Sequence, residues 1–284
     1  MLTGPAIAAD RKEAARYWVR DDLGGLELLW GRFRQHAYRP HSHPGYVIAV
    51  VTEGVEAVNC RGALHRSGPG DILFVNPEAI HDGQRGGDEG WQYRVFYPTI
   101  ATVQVLISGE GSARSTPYFH ETVVHDPVLA RRLAELHADL EDSRFSFGAQ
   151  ATWTELLGEL LDRYASCELP RKVNRPEPLR VRRARELIET HFDQPLTLDR
   201  LAAEVQLSAF HLIRSFRAEM GVSPHAYLIA CRLRRAKALL DLGEGSARAA
   251  AAAGFVDQSH FIRHFKAAYG FTPGQYVAAR SPHP

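Results

Sequence analysis

The 284-residue chain is 45% hydrophobic and 24% charged, as is ordinary for a water-soluble globular protein, and its length allows two domains. The formal net charge of +1 hides a division: residues 171–284 carry 18 Lys and Arg against 10 Asp and Glu, whereas residues 1–170 carry 16 against 23. A basic C-terminal part favours binding of a polyanion there, and the acidic N-terminal part argues against DNA contact.

The sequence also argues against several other classes of protein. Cys60, Cys167 and Cys231 lie far apart without CxxC spacing, which fits a reducing compartment and neither a disulfide framework nor a zinc finger. Residues 1–18 lack the basic and apolar regions of a signal peptide. No run of about 18 apolar residues is present to span a membrane. We expect a soluble, cytoplasmic protein with no membrane partner.

Residues 26–100 are predicted to form short strands within an all-β domain over residues 1–125. Segments rich in β-branched and aromatic residues are separated by clusters such as Pro44-Gly45 and Gly68-Pro69-Gly70, at the spacing typical of a sandwich or barrel. The predicted strands are LELLWGRF, YVIAVVTEG, VEAVNC, GDILFVNP and WQYRVFYP.

Residues 126–167 change to helical periodicity. Two predicted helices each place an apolar stripe on one face, namely Val128, Leu129, Leu133, Leu136 and Leu140, then Trp153, Leu156, Leu157, Leu160, Leu161 and Tyr164. Such helices can either cover the β domain or join two copies of the chain. Residues 168–178, with three prolines, are predicted to be a linker, and residues 179–191 a scaffold helix.

An internal repeat follows, in which residues 210–227 align with residues 259–276 at an offset of 49, with eight identities among eighteen pairs. Ser208 and Asp257 are predicted N-caps of the repeated helix. Gly221 and Gly270 sit where such a helix closes through a left-handed residue.

Each copy is preceded by a short helix and followed by a longer one. The preceding helices are predicted at 197–205, capped by Thr197, and at 246–253, capped by Ser246. Ser223-Pro224 and Thr272-Pro273 have the cap-then-proline pattern that starts the following helix. Short helix, tight turn and capped helix predict two helix-turn-helix units, at about 197–220 and 246–269.

The second helix of a helix-turn-helix unit enters the DNA major groove. The outward positions predicted to read bases are Phe210, Ile213, Arg214, Gln258, Ser259, Ile262 and Arg263. Arg217 and Lys266, one turn further on, are predicted to contact phosphates. The alternative is that Arg214 and Arg263 are ordinary solvated charges. Phe216, Phe261 and Phe265 are predicted to be core residues.

Helix 224–240 is predicted to join the two units. At 1.5 Å per residue it would span about 25 Å. Held rigidly, it would set the two recognition helices in successive major grooves, about 34 Å apart.

The repeat resembles the AraC/XylS family of transcription regulators. GFVDQSHFIRHFKAAYGFTPGQY at 254–276 is similar to the second-unit signature of that family, and 198–220 to its first unit. The resemblance covers about 179–280 and implies a DNA-binding domain over 179–284. One departure is Gln206, at a turn position where the first unit often carries glycine. The resemblance also favours a dimer interface for the two helices of 126–167.

Two further segments, HSHPGYVIAVVTEG at 41–54 and GPGDILFVNPEAIHDG at 68–83, resemble the cupin-type sensor domain fused to such regulators. The implied fold is a multidomain α+β chain, with an all-β cupin-like barrel and two following helices before an all-α double helix-turn-helix domain.

His41, His43 and His81 match the His-x-His pair and later histidine with which cupin enzymes bind a metal, and imidazoles suit zinc, iron, nickel and copper. The glutamate of that pattern is absent, because its region is 47–50, VIAV. We therefore expect no metal, no cofactor and no catalytic residue. The histidines are predicted to line or border a small-molecule pocket, together with Tyr46, Trp91, Tyr93 and Arg94. Purely structural or surface histidines are the alternative.

The sequence thus predicts a non-enzymatic transcription regulator that binds promoter DNA and responds to a small-molecule effector. RNA polymerase and a second copy of the chain are expected partners, and the sequence does not decide between activation and repression. The alternatives are a cupin-type metal-binding enzyme or metal sensor fused to a DNA-binding domain, and a constitutive architectural DNA-binding protein.

Overall fold

A computed structural model describes residues 13–107, 116–141, 147–166 and 178–280. The described strands are β1 (Ala14–Arg20), β2 (Leu26–Phe33), β3 (Tyr38–His41), β4 (Val47–Gly54), β5 (Glu56–Cys60), β6 (Ala63–Ser67), β7 (Asp71–Val75), β8 (His81–Arg85), β9 (Trp91–Tyr97), β10 (Tyr118–Phe119), β11 (Val123–His125) and β12 (Ala165–Ser166). The predicted linker lies, except for Pro178, outside the described residues, as does Cys167.

The described helices are α1 (Ile100–Ile107), α2 (Pro127–Asp139), α3 (Phe147–Tyr164), α4 (Leu179–His191), α5 (Leu198–Glu204), α6 (Ala209–Met220), α7 (Pro224–Asp241), α8 (Ser246–Ala252), α9 (Gln258–Tyr269) and α10 (Pro273–Arg280). None of these helices is both long and apolar enough to cross a membrane. Cys60 and Cys231 are buried and free.

Two antiparallel sheets face each other in the N-terminal part, hereafter the barrel. The larger has the strand order β1-β2-β9-β4-β7-β11, and the smaller β3-β8-β5-β6. All five predicted strands are confirmed, as β2, β4, β5, β7 and β9. The sequence did not indicate β3, β6 and β8, because their short segments contain proline, charged residues and glycine, which are depleted in strands.

Successive side chains of β4 point alternately to the inside and the outside of the barrel. Val47, Ala49 and Val51 face inward, whereas Ile48 and Val50 face outward under α2 and α3. The predicted helix stripes lie against this outer surface and are almost completely buried there. These leucines therefore cover the barrel of their own chain, which is one of the two predicted roles, and a dimer interface on other faces of the two helices stays a prediction.

One residue of the predicted stripe is misplaced. Val128 is 61% exposed, whereas Leu129 is 1% exposed. The buried positions of α2 follow Leu129 at steps of four, three and four residues, and Val128 lies about 100° away from that line around the helix axis.

The C-terminal helices form the two predicted helix-turn-helix units. Side chains of Ser208 and Asp257 accept hydrogen bonds from the third amide of their helices, and Gly221 and Gly270 are left-handed, as predicted. Ser246 is not a cap. The N-cap of α8 is Gly245, whose carbonyl accepts the amide of Ala249, so Ser246 is already the first helical residue.

The two units have different cores. In the first, Phe216 packs among residues of α4, α5, α6 and α7. In the second, Phe261 and Phe265 belong to a cluster that continues without a break into the interior of the barrel. All three phenylalanines are fully buried, which confirms their prediction as core residues. The second unit is thus packed as a lid on the barrel mouth.

The turn of the first unit closes through Gln206. The amide of Leu207 donates to the carbonyl of Ala202 across it, and Gln206 adopts φ 54°. The second unit has the equivalent bond around Gly254, from the amide of Phe255 to the carbonyl of Ala250, and Gly254 adopts φ 79°. At Gly254 an added Cβ would lie 2.7 Å from the backbone of Asp193, so glycine is required there for space as well as for conformation.

We predict that Gln206→Gly raises the free energy of unfolding by about 0.5–1 kcal/mol. A left-handed non-glycine residue costs about 1–2 kcal/mol, and the extra chain entropy of glycine offsets part of the gain. Urea unfolding followed by circular dichroism measures the change. Gly254→Ala is the opposite control and should destabilise the protein. A less stable Gln206→Gly variant would show that this turn is not strained.

Candidate nucleic-acid interface and barrel cavity

The predicted base-reading residues lie on the solvent side of α6 and α9. Phe210 is 69% exposed, unusually open for a phenylalanine, and Arg214 and Arg263 are exposed. Gln258 and Ser259 are also exposed, at the N-terminus of α9. This is the end of a recognition helix that contacts base edges in helix-turn-helix proteins.

The two isoleucines are placed differently. Ile262 is half-buried and packs against the core of the second unit. Ile213 is also half-buried and lines a groove of about 170 Å³ in the first unit, beside Leu201 and Pro224. Each isoleucine therefore combines a packing role with partial exposure on its recognition helix.

The predicted phosphate contacts lie where the helices meet the barrel. Arg217 lines a cleft of about 270 Å³ between α6 and the β5–β6 turn, together with Asn59 and Arg61. Lys266 is exposed but lies near His36 of the barrel: burial lowers the pKa of that imidazole, and the charge of Lys266 lowers it further. The barrel thus borders both positions.

Aromatic side chains join the second unit to the barrel mouth. The ring of Tyr17 on β1 lies 4.7 Å from that of Phe271 and 5.4 Å from that of Tyr276. Tyr38 approaches Gly270 so closely that a Cβ added there would lie 2.8 Å from the tyrosine hydroxyl oxygen. A side chain at position 270 would therefore separate the two surfaces.

A nearly buried ion pair crosses the same interface. Lys237 of α7, 6% exposed, places Nζ 3.3 Å from Oε2 of Glu27 on β2, and Arg280 of α10 pairs with Oε1 of that carboxylate. Burial acts to raise the pKa of Glu27, but Lys237 and Arg280 more than offset it, so the pKa is lowered. A second ionic contact joins Arg234 to Glu78.

Beneath this interface lies a cavity with a free volume of about 40 Å³. It is lined by barrel residues and by Lys237, Ala268, Tyr269 and Phe271 of the lid. Of the predicted pocket residues, His41, His43, His81 and Tyr93 are present. The cavity is therefore shared by both parts of the chain, and Tyr269, at the end of α9, forms part of its wall.

The three histidines form a cluster in this cavity. Their ligand nitrogens all lie within 4.8 Å of one another. Burial lowers the pKa of all three, and for His41 and His43 the neighbouring imidazoles lower it further, well below its ordinary range. The rings are therefore neutral at pH 7 and keep a lone pair. Nearby, burial raises the pKa of Glu56 to about 8, and the charge of Asp82 adds to the effect.

Three predicted pocket residues lie elsewhere. Tyr46 is fully buried on the outer side, where its hydroxyl donates to the carbonyl of Pro117 at 2.7 Å, because it shares the outward face with Ile48. Arg94 faces the outer helices and pairs with Glu141. Trp91 packs inside the barrel beyond the cavity.

The cavity also contains residues that were not predicted, and two of them, Glu56 and Lys237, are recognisable from their positions in the sequence. Glu56 shares a face of β5 with Val58 and Cys60, so a carboxylate on an inward-facing apolar row was visible. Lys237 follows Leu233 and precedes Leu240 on the buried side of α7. A charge on such a stripe signals a buried partner. Tyr269 gave no signal, because it looked like any core aromatic residue.

Two family models match the chain: the AraC-like ligand binding domain over residues 23–157 and a helix-turn-helix domain over residues 201–279. The chain is 31% identical over 224 residues to the uncharacterized HTH-type transcriptional regulator YbfI of Bacillus subtilis, covering 78% of this chain and 80% of that protein. It is 27% identical to the arabinose operon regulatory protein of Salmonella typhimurium, covering 84% and 86%.

A solved structure of ToxT from Vibrio cholerae aligns with 94% of this chain and 97% of that one, at a TM-score of 0.47 and 12% identity. The double helix-turn-helix and the barrel that matches the AraC-like ligand binding domain define a transcription regulator. The chain belongs to the AraC family, with an N-terminal ligand-binding domain and a C-terminal helix-turn-helix DNA-binding domain.

We predict that Glu27→Gln weakens the docking of the second unit on the barrel. Removing one partner of a buried ion pair costs about 3–5 kcal/mol. Undocking would return Lys237 to water, so the loss of protein stability cannot exceed the free energy by which docking is favoured. Amide hydrogen exchange in β1 and α10 should accelerate. Glu244→Gln, which removes an exposed i,i+4 pair with Arg248, is the control and should leave exchange unchanged. Equal exchange in both variants would contradict an ionic contribution to docking.

Proposed function

We propose that the chain is a sequence-specific DNA-binding regulator whose affinity for its operator depends on whether the second unit is docked on the barrel. A small effector in the shared cavity would shift the equilibrium between docked and undocked forms. The observation that supports this most directly is the cavity itself, because Tyr269 of a recognition helix and His41 of the barrel line the same space.

The docked form is proposed to be the low-affinity form. Phosphates supply much of the affinity of a protein for DNA, and both candidate phosphate contacts, Arg217 and Lys266, lie beside the barrel. The part of the chain that contains the barrel, residues 1–170, carries 23 acidic against 16 basic residues. Docking therefore places a negatively charged body next to the side chains that would hold the DNA backbone, which opposes binding.

An effector can move this equilibrium only by the difference between its affinities for the two forms. The cavity satisfies that condition, since undocking would remove Lys237, Tyr269 and Phe271 from its wall. Any ligand that contacts both walls binds the two forms unequally.

The remaining expectations form part of the same proposal. The chain would work in the cytoplasm on promoter DNA, with contact to RNA polymerase, and a homodimer would read a repeated operator. Such a dimer needs a surface other than the buried stripes of α2 and α3. We propose a ligand-sensing barrel over 1–125, a helical dimerisation or cover segment over 126–167, a linker over 168–178 and a DNA-binding domain over 179–284.

Selection of random DNA fragments by the full-length protein at moderate salt tests sequence specificity. We expect a bipartite motif with halves one helical turn apart, since α7 holds the two recognition helices in one body. Enrichment of fragments without a common motif, by both the wild-type chain and Glu27→Gln, would contradict a sequence-specific regulator.

On the selected operator we predict that Arg263→Ala relaxes preference at one base position and costs about 1–3 kcal/mol of binding. Lys266→Ala should weaken all sequences alike and reduce the slope of log affinity against log salt by about 1. Arg131→Ala, an exposed arginine on α2 (70% side-chain exposure), is the matched control and should change neither quantity. If Arg263→Ala lowers affinity equally for all sequences, the assignment of base contacts is wrong.

A further inference from the structure

The histidine cluster is built from two segments of the chain. His41, the last residue of β3, is directly opposite His81, the first residue of β8, in an antiparallel register. His43 follows two residues after His41. The ring centroids of His41 and His81 are 4.4 Å apart, and those of His41 and His43 are 4.9 Å apart. The pairing of β3 with β8, together with the short spacing from His41 to His43, thus brings the three imidazoles together.

Two of the rings are oriented by hydrogen bonds to the backbone. Nδ1 of His41 lies 2.7 Å from the carbonyl oxygen of Arg39, and Nδ1 of His81 lies 3.1 Å from that of Ala79. A carbonyl only accepts, so Nδ1 carries the proton in both rings and Nε2 keeps its lone pair. This is the arrangement by which metal-binding histidines are usually held.

The volume of the cavity favours an ion over an organic ligand in the docked form. Pockets for drug-sized molecules measure about 300–1,000 Å³, whereas the free volume here is about 40 Å³. One water requires about 10–15 Å³ measured in this way. A metal ion with one or two waters fits this space, and a sugar-sized effector would require the lid to move.

We propose that His41, His43 and His81 bind one divalent transition-metal ion. Zinc, nickel, cobalt and copper accept imidazole ligands, unlike magnesium and calcium. Bonds of 2.0–2.1 Å separate tetrahedral donors by about 3.4 Å, so nitrogens now within 4.8 Å need to close by about 1.4 Å at most.

The glutamate missing from 47–50 is not essential, because three histidines and a water suffice to hold zinc. Two buried polar atoms of the cavity are suited to surround such a site. Glu56 is 4% exposed and its Oε2 has no hydrogen-bond partner among the described residues. Tyr269 is 3% exposed, and its hydroxyl is likewise unpartnered within the described part of the chain.

Tyr269 connects the metal to the DNA-binding half, a step that rests on the proposed function. Its ring packs against those of His41 and His43 at 5.3 and 5.6 Å, and it is the last residue of α9. A water on the metal would give the Tyr269 hydroxyl a hydrogen-bond partner that exists only in the docked form. Metal binding therefore stabilises docking and lowers affinity for DNA.

Titration of the EDTA-treated full-length protein with Co(II) tests the site, read from the visible d–d absorption. We expect one Co(II) per chain, displaced by Zn(II) and not by Mg(II). His43→Gln and His81→Gln should each weaken binding by at least about 100-fold, since changes outside the ligand set already cost 10- to 100-fold. His125→Gln, an exposed histidine paired with Asp71, is the control and should bind normally.

X-ray absorption on the Co(II)-loaded wild-type protein keeps the test valid if a variant fails to fold. Scattering from about three imidazoles supports the site. Substoichiometric binding, unchanged affinity in folded His43→Gln and His81→Gln, or a spectrum without imidazole scattering would overturn it.

A second experiment tests the coupling. Zn(II) should slow hydrogen exchange in β1 and α10 and lower operator affinity about 10-fold, within the usual range of coupling between sites. Tyr269→Phe should still bind Co(II) but lose both responses. If Zn(II) binds and exchange is unchanged, the coupling is wrong. If Glu27→Gln leaves operator affinity unchanged, the proposed function is wrong. The metal site is tested separately by the Co(II) titration.

Discussion

The contact between the aromatic residues of the second helix-turn-helix unit and the barrel mouth sets the arrangement of the whole chain. Tyr17 and Tyr38 of the barrel meet Phe271, Tyr276 and Gly270, and the two hydrophobic cores become one. Such a surface is largely apolar, so water opposes its separation. Because this contact also closes the cavity, the interior of the barrel and the position of α9 depend on the same packing contact.

That dependence explains why charged groups lie where an ordinary core would exclude them. Glu27 and Lys237 are almost buried, and each offsets part of the other's desolvation cost across the interface. In the undocked form both return to water. Buried ion pairs contribute little net stability, whereas a buried charge without its partner is strongly destabilising, so a docked arrangement that separates Glu27 from Lys237 is disfavoured. The neutral histidines beneath it are shielded from water by the same lid.

Local features were predictable from the sequence, because they depend on neighbouring residues. The repeat gave both helix-turn-helix units, and Ser208, Asp257, Gly221 and Gly270 were assigned correctly as helix ends. The five strands followed from β-branched and aromatic runs. Features that depend on distant packing were not predictable: the stripes of α2 and α3 fit a dimer interface as well as the barrel, and Tyr46 took the outer face. The sequence contains no periodic pattern that indicates docking of the second unit on the barrel. The residues proposed to contact DNA are placed on exposed helix faces, and their roles stay predictions.

We propose that the docked form is not the form that binds DNA. Spin labels at Leu64→Cys and Leu242→Cys, both exposed positions, test it in a chain whose three native cysteines are replaced. Electron–electron double resonance then measures the distance between the β5–β6 hairpin and the end of α7. We expect one narrow distance for the free protein and a shifted or broadened distribution with the selected operator. An identical narrow distance in both states would contradict it, because DNA would then bind the docked chain.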